Sequence, residues 1–307
     1  MTVLHVSLFG KLRVCHDEQV LTSLEARKVQ ELFCYLLLYR DRPHPRETLT
    51  DLLWNGNSTA QAKKYLRHTL WQLQSTLYAH VEPCQSHFLL VEADWIQLNP
   101  ATTLWLDVAV FEQAFAMTQG IPGYALDAQQ KQALQLAIQL YQGDLLEGWY
   151  QEWCLFERER LQNMYLEMLS KLMDACEAVQ EYEAGLIYGA RILRCDLAHE
   201  PTHRRLMRLH YLTGNRTAAL RQYRRCLSAL KEELDVKPGK STVSLYEQIC
   251  ADRLSGVTTV LPQTNAPSAS LSEVLEHLHR LQSELTTIQH QLQQDIQAIE
   301  FIMKAKR

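Results

Sequence analysis

No uninterrupted apolar run in this chain approaches the roughly 20 residues that a membrane-spanning helix requires. That holds although 47% of its 307 residues are hydrophobic. The opening stretch MTVLHVSLFGKLRV has no basic segment followed by an apolar one, so no secretory signal is read there. A cytoplasmic location with no membrane partner is the expectation. Cysteine pairing is missing as well. Cys15, Cys34, Cys84, Cys154, Cys176, Cys195, Cys226 and Cys250 are scattered, with no C-x-x-C spacing. This argues against a zinc site or a disulfide framework and for small buried side chains in a reducing compartment. An overall positive charge is also lacking: the formal net charge is −4. Any contact with nucleic acid has to come from a local patch.

Catalytic signatures are equally sparse. KPGKST (237–242) ends like a phosphate-binding loop, but its first glycine would fall at Leu234 and no strand precedes it. His199, His203 and His210 lack the cysteine or carboxylate spacing that would complete a metal site. Trp149, Tyr150, Trp153 and Phe156 read as repeat core rather than a ligand cage. No nucleophile–base arrangement stands out. The expectation is a protein that is not an enzyme and has no cofactor and no metal.

What is present is organisation. Residues 1 to 22 alternate apolar and polar, as short antiparallel strands with turns at Gly10 and Asp17 would. From Leu24 to Tyr39 the period changes to that of a helix, with Val29, Leu32, Phe33, Leu36 and Leu37 on one stripe. DRPHPRETLTDLLW gives a turn and a short second helix, with Pro45 in its first turn and Gly56 at its end. A third helix starts near Thr59, where Ser58 and Gln61 have capping-box spacing. HFLLVEADWIQLN then reads as two strands around Ala93-Asp94. Strands, three helices and a hairpin are the order of a winged helix.

From about Asp107 to Ala251 the chain reads as almost wholly helical. YEAGLIYGARIL (182–193) overlays RTAALRQYRRCL (216–227), with Ala184 over Ala218 and Leu186 over Leu220. The offset of 34 residues is the tetratricopeptide period, and small residues there let paired helices approach closely. Residues 255–270 have linker composition. Beyond them Val274, Leu278, Leu281, Leu285, Ile288 and Leu292 alternate in steps of four and three, a coiled-coil seam. Such a stripe can be buried against a second copy or against the helical domain; self-association is the leading expectation.

The third helix carries two faces. Ala62, Leu66, Leu70, Leu73 and Leu77 want a core, while Lys63, Lys64, Arg67 and His68 lie on another side with Trp71 one turn beyond Arg67. In a helix-turn-helix this element enters the major groove. Arg67 is the candidate for a bidentate guanine contact and the lysines for phosphates or bases, while the start at Ser58 and Thr59 offers free N–H groups to a phosphate. The opposing reading is a solvated basic face. Residues 1 to 100 contain ten Lys plus Arg and ten Asp plus Glu, so this region is neutral, and a lone copy is expected to bind DNA weakly. Dimerisation would offset that. A second basic stretch, residues 204–231, holds eight basic residues and no acidic one, whereas Asp144 to Glu183 is mostly acidic. Arg204, Arg205, Arg208, Arg221, Arg224 and Arg225 could form a second DNA contact, a dock for an acidic partner, or a solvated repeat surface.

VSLFGKLRV, ARKVQELFCYLLLYRDRPHPRETLTDLLW, LRHTLWQL and WLDVAVFEQAF resemble, in this order, the winged-helix domain of the bacterial antibiotic-regulator (SARP) class. LYQGDLLEGWYQEWCLFERERL and GNRTAALRQYRRCLSALKEELDVKPGKSTVSLYEQI resemble the bacterial transcriptional activator domain that follows it. The resemblance covers about four-fifths of the chain and leaves out the tail after 255. It implies a sequence-specific transcription activator whose recognition helix is residues 59–77, with Arg67 at a position that is often basic. It implies too that the repeat domain aids oligomerisation and contact with the transcription machinery, and that the sites bound are direct repeats. Gln72, Gln74 and Ser75 depart from it, standing where many members carry arginine.

The expected architecture is mainly α: an α+β winged helix (1–106), an all-α tetratricopeptide-like domain (107–254), a linker (255–270) and a coiled-coil helix (271–307). The expected partners are duplex DNA, a second copy through the C-terminal helix, and RNA polymerase or another transcription protein. The alternative is an interaction scaffold whose winged helix no longer binds DNA and whose repeats recruit a partner.

Overall fold

The computed structural model describes residues 4–16, 19–20, 24, 26–78 and 88–254. Strands β1 (Leu4–Ser7), β2 (Arg13–His16) and β3 (Gln19–Val20) come first. Leu4 and Val6 are buried while His5 between them is exposed, the period-2 pattern expected of a strand with one covered face. Gly10 turns the chain with φ of 82°, a conformation that glycine reaches without strain. Helices α1 (Arg27–Leu38), α2 (Arg46–Trp54) and α3 (Thr59–Tyr78) follow, with the two-residue strand β4 (His44–Pro45) before α2. Strands β5 (Leu89–Val91) and β6 (Trp95–Leu98) form the hairpin, closed by Glu92 N–H donating to Trp95 O at 2.9 Å. This is a winged helix.

Two strands were not legible beforehand. β4 adds to the hairpin, His44 opposite Ile96 and Pro45 opposite Trp95, in a sheet of order β4-β6-β5. β7 (Leu104–Leu106) lies parallel to β1, Leu4 opposite Leu104 and Val6 opposite Leu106, in a sheet of order β3-β2-β1-β7. Two- and three-residue strands carry too little periodicity to declare themselves, and the partner of β7 is about 100 residues away.

Helices α4 (Asp107–Thr118), α5 (Ala128–Leu140), α6 (Glu152–Ala178), α7 (Tyr182–Cys195), α8 (Glu200–Leu212), α9 (Arg216–Leu234) and α10 (Lys240–Cys250) make up the rest. The 34-residue offset superposes α7 on α9. The tightly packed small residue is the one after the alanines that the pattern picked out: Gly185 and its equivalent Ala219 are buried, while Ala184 and Ala218 are half-buried. Within α7 Gly189 makes a closer approach than Gly185, since a Cβ there would stand 2.6 Å from Leu206 Cδ2.

One hydrophobic core runs from the strands through α1–α3 into α4–α8, with Phe33, Phe111, Leu8, Leu36 and Leu134 fully buried in it. A smaller cluster of Met207, Ala219 and Ile249 closes the end, with Tyr223 and Tyr246 stacked 4.0 Å apart beside it. Polar contacts reinforce the junction between the two parts. Asp107, at the start of α4, accepts from Leu8 N–H (2.8 Å), Phe9 N–H (2.9 Å) and Val108 N–H (2.7 Å). Gly10 N–H donates to Asp144 O and Leu146 N–H to Leu8 O, both at 2.9 Å. Buried Glu31 of α1 accepts from Arg27, Lys28 and Gln151. The linker and the heptad residues Val274, Leu278, Leu281, Leu285, Ile288 and Leu292 lie outside the described residues.

Candidate nucleic-acid interface

Helix α3 divides its side chains as its spacing required. Ala62, Leu66, Leu70, Leu73 and Leu77 are buried, none more than 5% exposed. Ser58, Thr59, Lys63, Lys64, Arg67, His68 and Trp71 are all exposed. The capping-box pair meets side chain to side chain, with Ser58 Oγ donating to Gln61 Oε1 at 3.3 Å, and Ala62 N–H donates to Ser58 O at 2.9 Å.

Lys64 and Arg67 form no ion pair with the protein's own carboxylates among the described residues. Lys63 does, reaching Glu47 Oε1 of α2 at 3.2 Å. Both groups are half or more exposed, so the pair contributes on the order of 0.5 kcal/mol and a phosphate can displace it. His68 stacks on Trp71, ring centroids 6.0 Å apart, and leaves the indole 63% exposed. Tyr65, 42% exposed and 6.3 Å from Trp54, adds a second aromatic surface.

A groove runs between the start of α2, α3 and the hairpin turn, lined by Arg46, Glu47, Lys63, Arg67, Ala93 and Asp94 among others. Arg46 was not among the residues singled out from sequence. Its backbone N–H donates to Asp94 O at 2.9 Å and its Nε to Glu92 O at 3.1 Å, which fixes the hairpin tip beside α2. A basic residue directly after the helix-starting Pro45 was the signal available. Below it, His44 is buried and donates from Nε2 to Tyr39 O at 2.9 Å, and burial lowers its pKa. Three cations thus face a slot that also holds two carboxylates.

The second basic stretch does not stay together. Arg205 is a structural residue, paired with Asp174 (2.6 Å) and Glu177 (2.8 Å) and bonded to Ser170 Oγ (3.1 Å). Arg204 reaches Glu200 (3.8 Å) and Thr242 Oγ1 (3.3 Å). Both are half-buried and engaged within the fold, which leaves less of their charge to a ligand. Arg208, Arg221, Arg224 and Arg225 are exposed. The aromatic cluster also divides: Trp149 and Trp153 are buried, whereas Tyr150 and Phe156 stand 78% and 66% exposed. The phosphate-loop-like KPGKST starts α10, and its Gly239 N–H donates to Glu200 Oε1 at 2.8 Å, so an internal carboxylate fills that helix end. His203 is buried between Leu197 O (2.9 Å from Nε2) and Gln222 Nε2 (2.8 Å from Nδ1), and burial lowers its pKa. No group of three metal-capable side chains occurs among the described residues, and none of their helices is long and apolar enough to cross a membrane.

Residues 106–250 match the family model of the bacterial transcriptional activator domain. The chain carries a bacterial transcriptional activator domain. Its place behind a winged helix is the one the SARP-type resemblance implied. The activator domain begins at the last residue of β7, where the sheet hands over to α4. Among solved structures, the chain is similar to Mycobacterium tuberculosis EmbR in complex with a low-affinity phosphopeptide, with 20% identity and a TM-score of 0.62. That alignment covers 83% of this chain and 66% of the EmbR chain, just under two thirds of its length, and the likeness is one of fold. No curated protein is significantly similar to the chain.

Proposed function

We propose that this regulator binds duplex DNA sequence-specifically as a dimer or higher oligomer, acts as an activator in the cytoplasm, and contacts RNA polymerase or another transcription protein. The observation that carries this reading is the open basic face of α3. Lys64 and Arg67 are exposed, with no ion pair among the described residues, on the third helix of a winged helix, flanked by Trp71 and Arg46. Arg67 reads a base edge, Lys63 and Lys64 hold phosphates, Ser58 and Thr59 present backbone N–H groups to a phosphate, and His68 and Trp71 extend the contact. Residues 1–106 supply the DNA contact and 107–254 the protein contacts. Residues 271–307 join copies through the stripe from Val274 to Leu292, which raises the effective concentration of the second reading head.

In mobility-shift titrations, Lys64→Ala/Arg67→Ala should weaken binding by about 10- to 1,000-fold, since each good base contact is worth about 1–3 kcal/mol. Wild-type affinity for the double variant would place the site elsewhere. Glu47 and Asp94 in the groove, and the charge neutrality of residues 1–100, favour a second reading as an interaction scaffold. Sequencing of the DNA co-purified with the protein separates the two, because a scaffold enriches no sequence.

A further inference from the structure

Two exposed helix faces on this chain have matching spacing and opposite charge. On α6, Glu152, Leu155, Phe156 and Glu159 fall at i, i+3, i+4 and i+7 and all are exposed, Leu155 at 43% and Phe156 at 66%. Two acids seven residues apart, about 10.5 Å along the axis, thus bracket an apolar centre. On α9, Arg224, Leu227 and Lys231 fall at i, i+3 and i+7 and are exposed, Leu227 at 38%. Two cations at the same separation bracket another apolar centre. None of the four charged side chains forms an ion pair among the described residues. Elsewhere in the same domain, acids and arginines that lie within reach of each other are paired, as Arg205 is with Asp174 and Glu177 and Arg160 with Glu112 and Glu157.

We infer that the acidic α6 face of one molecule docks on the basic α9 face of a second copy, Leu155 and Phe156 packing against Leu227 while Glu152 and Glu159 meet Arg224 and Lys231. An exposed Phe–Leu pair is the type of apolar anchor that interfaces bury, and flanking charges set the register and suppress wrong pairings. Arg224 and Lys231 belong to the basic stretch whose role the DNA-facing helix leaves open. A contact between two different faces is heterologous. It repeats head to tail along a row of molecules, unlike a two-fold coiled coil, which stops at a pair. The contact is independent of the DNA reading and of the C-terminal stripe.

The test uses the full chain carrying Leu281→Asp/Leu285→Asp, so that the C-terminal stripe contributes nothing, with mass measured by light scattering. At about 0.05 M salt this protein should assemble with rising concentration, and about 0.5 M salt should return it to monomer, because exposed charges are screened beyond a few ångströms there. Glu152→Lys/Glu159→Lys should be monomeric alone, and so should Arg224→Glu/Lys231→Glu. An equimolar mixture of the two should regain the assembly, since each reversed face then finds its opposite on the other chain. All four positions are exposed, and unchanged circular dichroism will show that the variants fold. A monomer at low salt, or reversed variants that assemble like the parent, or a mixture that stays monomeric, overturns the inference. If the Leu281→Asp/Leu285→Asp chain matches the wild type in mass at about 0.5 M salt, it is the coiled-coil reading that fails, not this one.

Discussion

Asp107 shows how one side chain joins the two parts of the molecule. Its carboxylate accepts three backbone N–H groups, which favours the ionised form, yet burial outweighs them and raises its pKa from 3.8 to about 6. The folded state therefore binds this proton more readily than the unfolded chain. Ionisation costs stability above about pH 6, and the cost is relieved as pH falls toward 4. Urea titrations of wild type and Asp107→Asn should diverge accordingly. The wild type should gain on the variant by on the order of 3 kcal/mol between about pH 7 and pH 4. A difference that stays constant with pH would mean that the N–H donors cancel the effect of burial, and a wild type that loses to the variant as pH falls would mean that they dominate. Nothing in the sequence around WLDVAVFEQAF marked Asp107 as more than a helix-starting acid, because its donors, Leu8 and Phe9, are about 100 residues away. Arg205 was obscured in the same way. As a letter it joins a run of arginines, and only the fold brings Asp174 and Glu177 to it.

Elements were more legible than residues wherever periodicity had length to work with. The 20-residue α3 showed both its faces in its spacing, and the pattern sorted buried from exposed positions correctly along its length. The proposed contacts with DNA rest on that sorting, but the groove that Arg46 and the hairpin tip add to it could not be read, since it depends on how three elements converge. The repeat was visible for the same reason of length, although the overlay emphasised Ala184 when the tight contact is at Gly185 and Gly189. Gly189→Ala tests that packing. Its new Cβ would collide with Leu206 and press on Met173 Cε at 3.0 Å, so a loss of about 1–3 kcal/mol in chemical denaturation is expected. Gly214→Ala probes a different property, because nothing lies within 4 Å there and φ is 76°. It should lose about 1 kcal/mol through backbone strain alone. Wild-type stability of Gly189→Ala would contradict the close packing of α7 on α8, and wild-type stability of Gly214→Ala would contradict the left-handed turn after α8.

For the whole molecule, the order of parts was readable but their fusion was not. The core passes from Phe33 and Leu8 to Phe111 and Leu134 without a gap, and Gln151 reaches across to buried Glu31 alongside Arg27 and Lys28. A chain ending at Leu254 should therefore unfold in one transition, followed alike by tryptophan fluorescence and far-ultraviolet circular dichroism. Residues 1–106 alone should be far less stable than the same residues in the longer chain. Two separate transitions would show that the halves fold independently.

Leu106 is the last residue of β7 and Asp107 the first of α4, so no amino acid is left over to act as a swivel. On the proposed function, a DNA reader mounted this way cannot stretch to suit its target. If neighbouring copies touch while bound, the distance between their half-sites is dictated by the proteins, and inserting about five base pairs, half a turn of the double helix, should abolish joint occupancy in footprinting. Placing a short glycine–serine insert between Leu106 and Asp107 should restore tolerance to that misphasing at the expense of affinity.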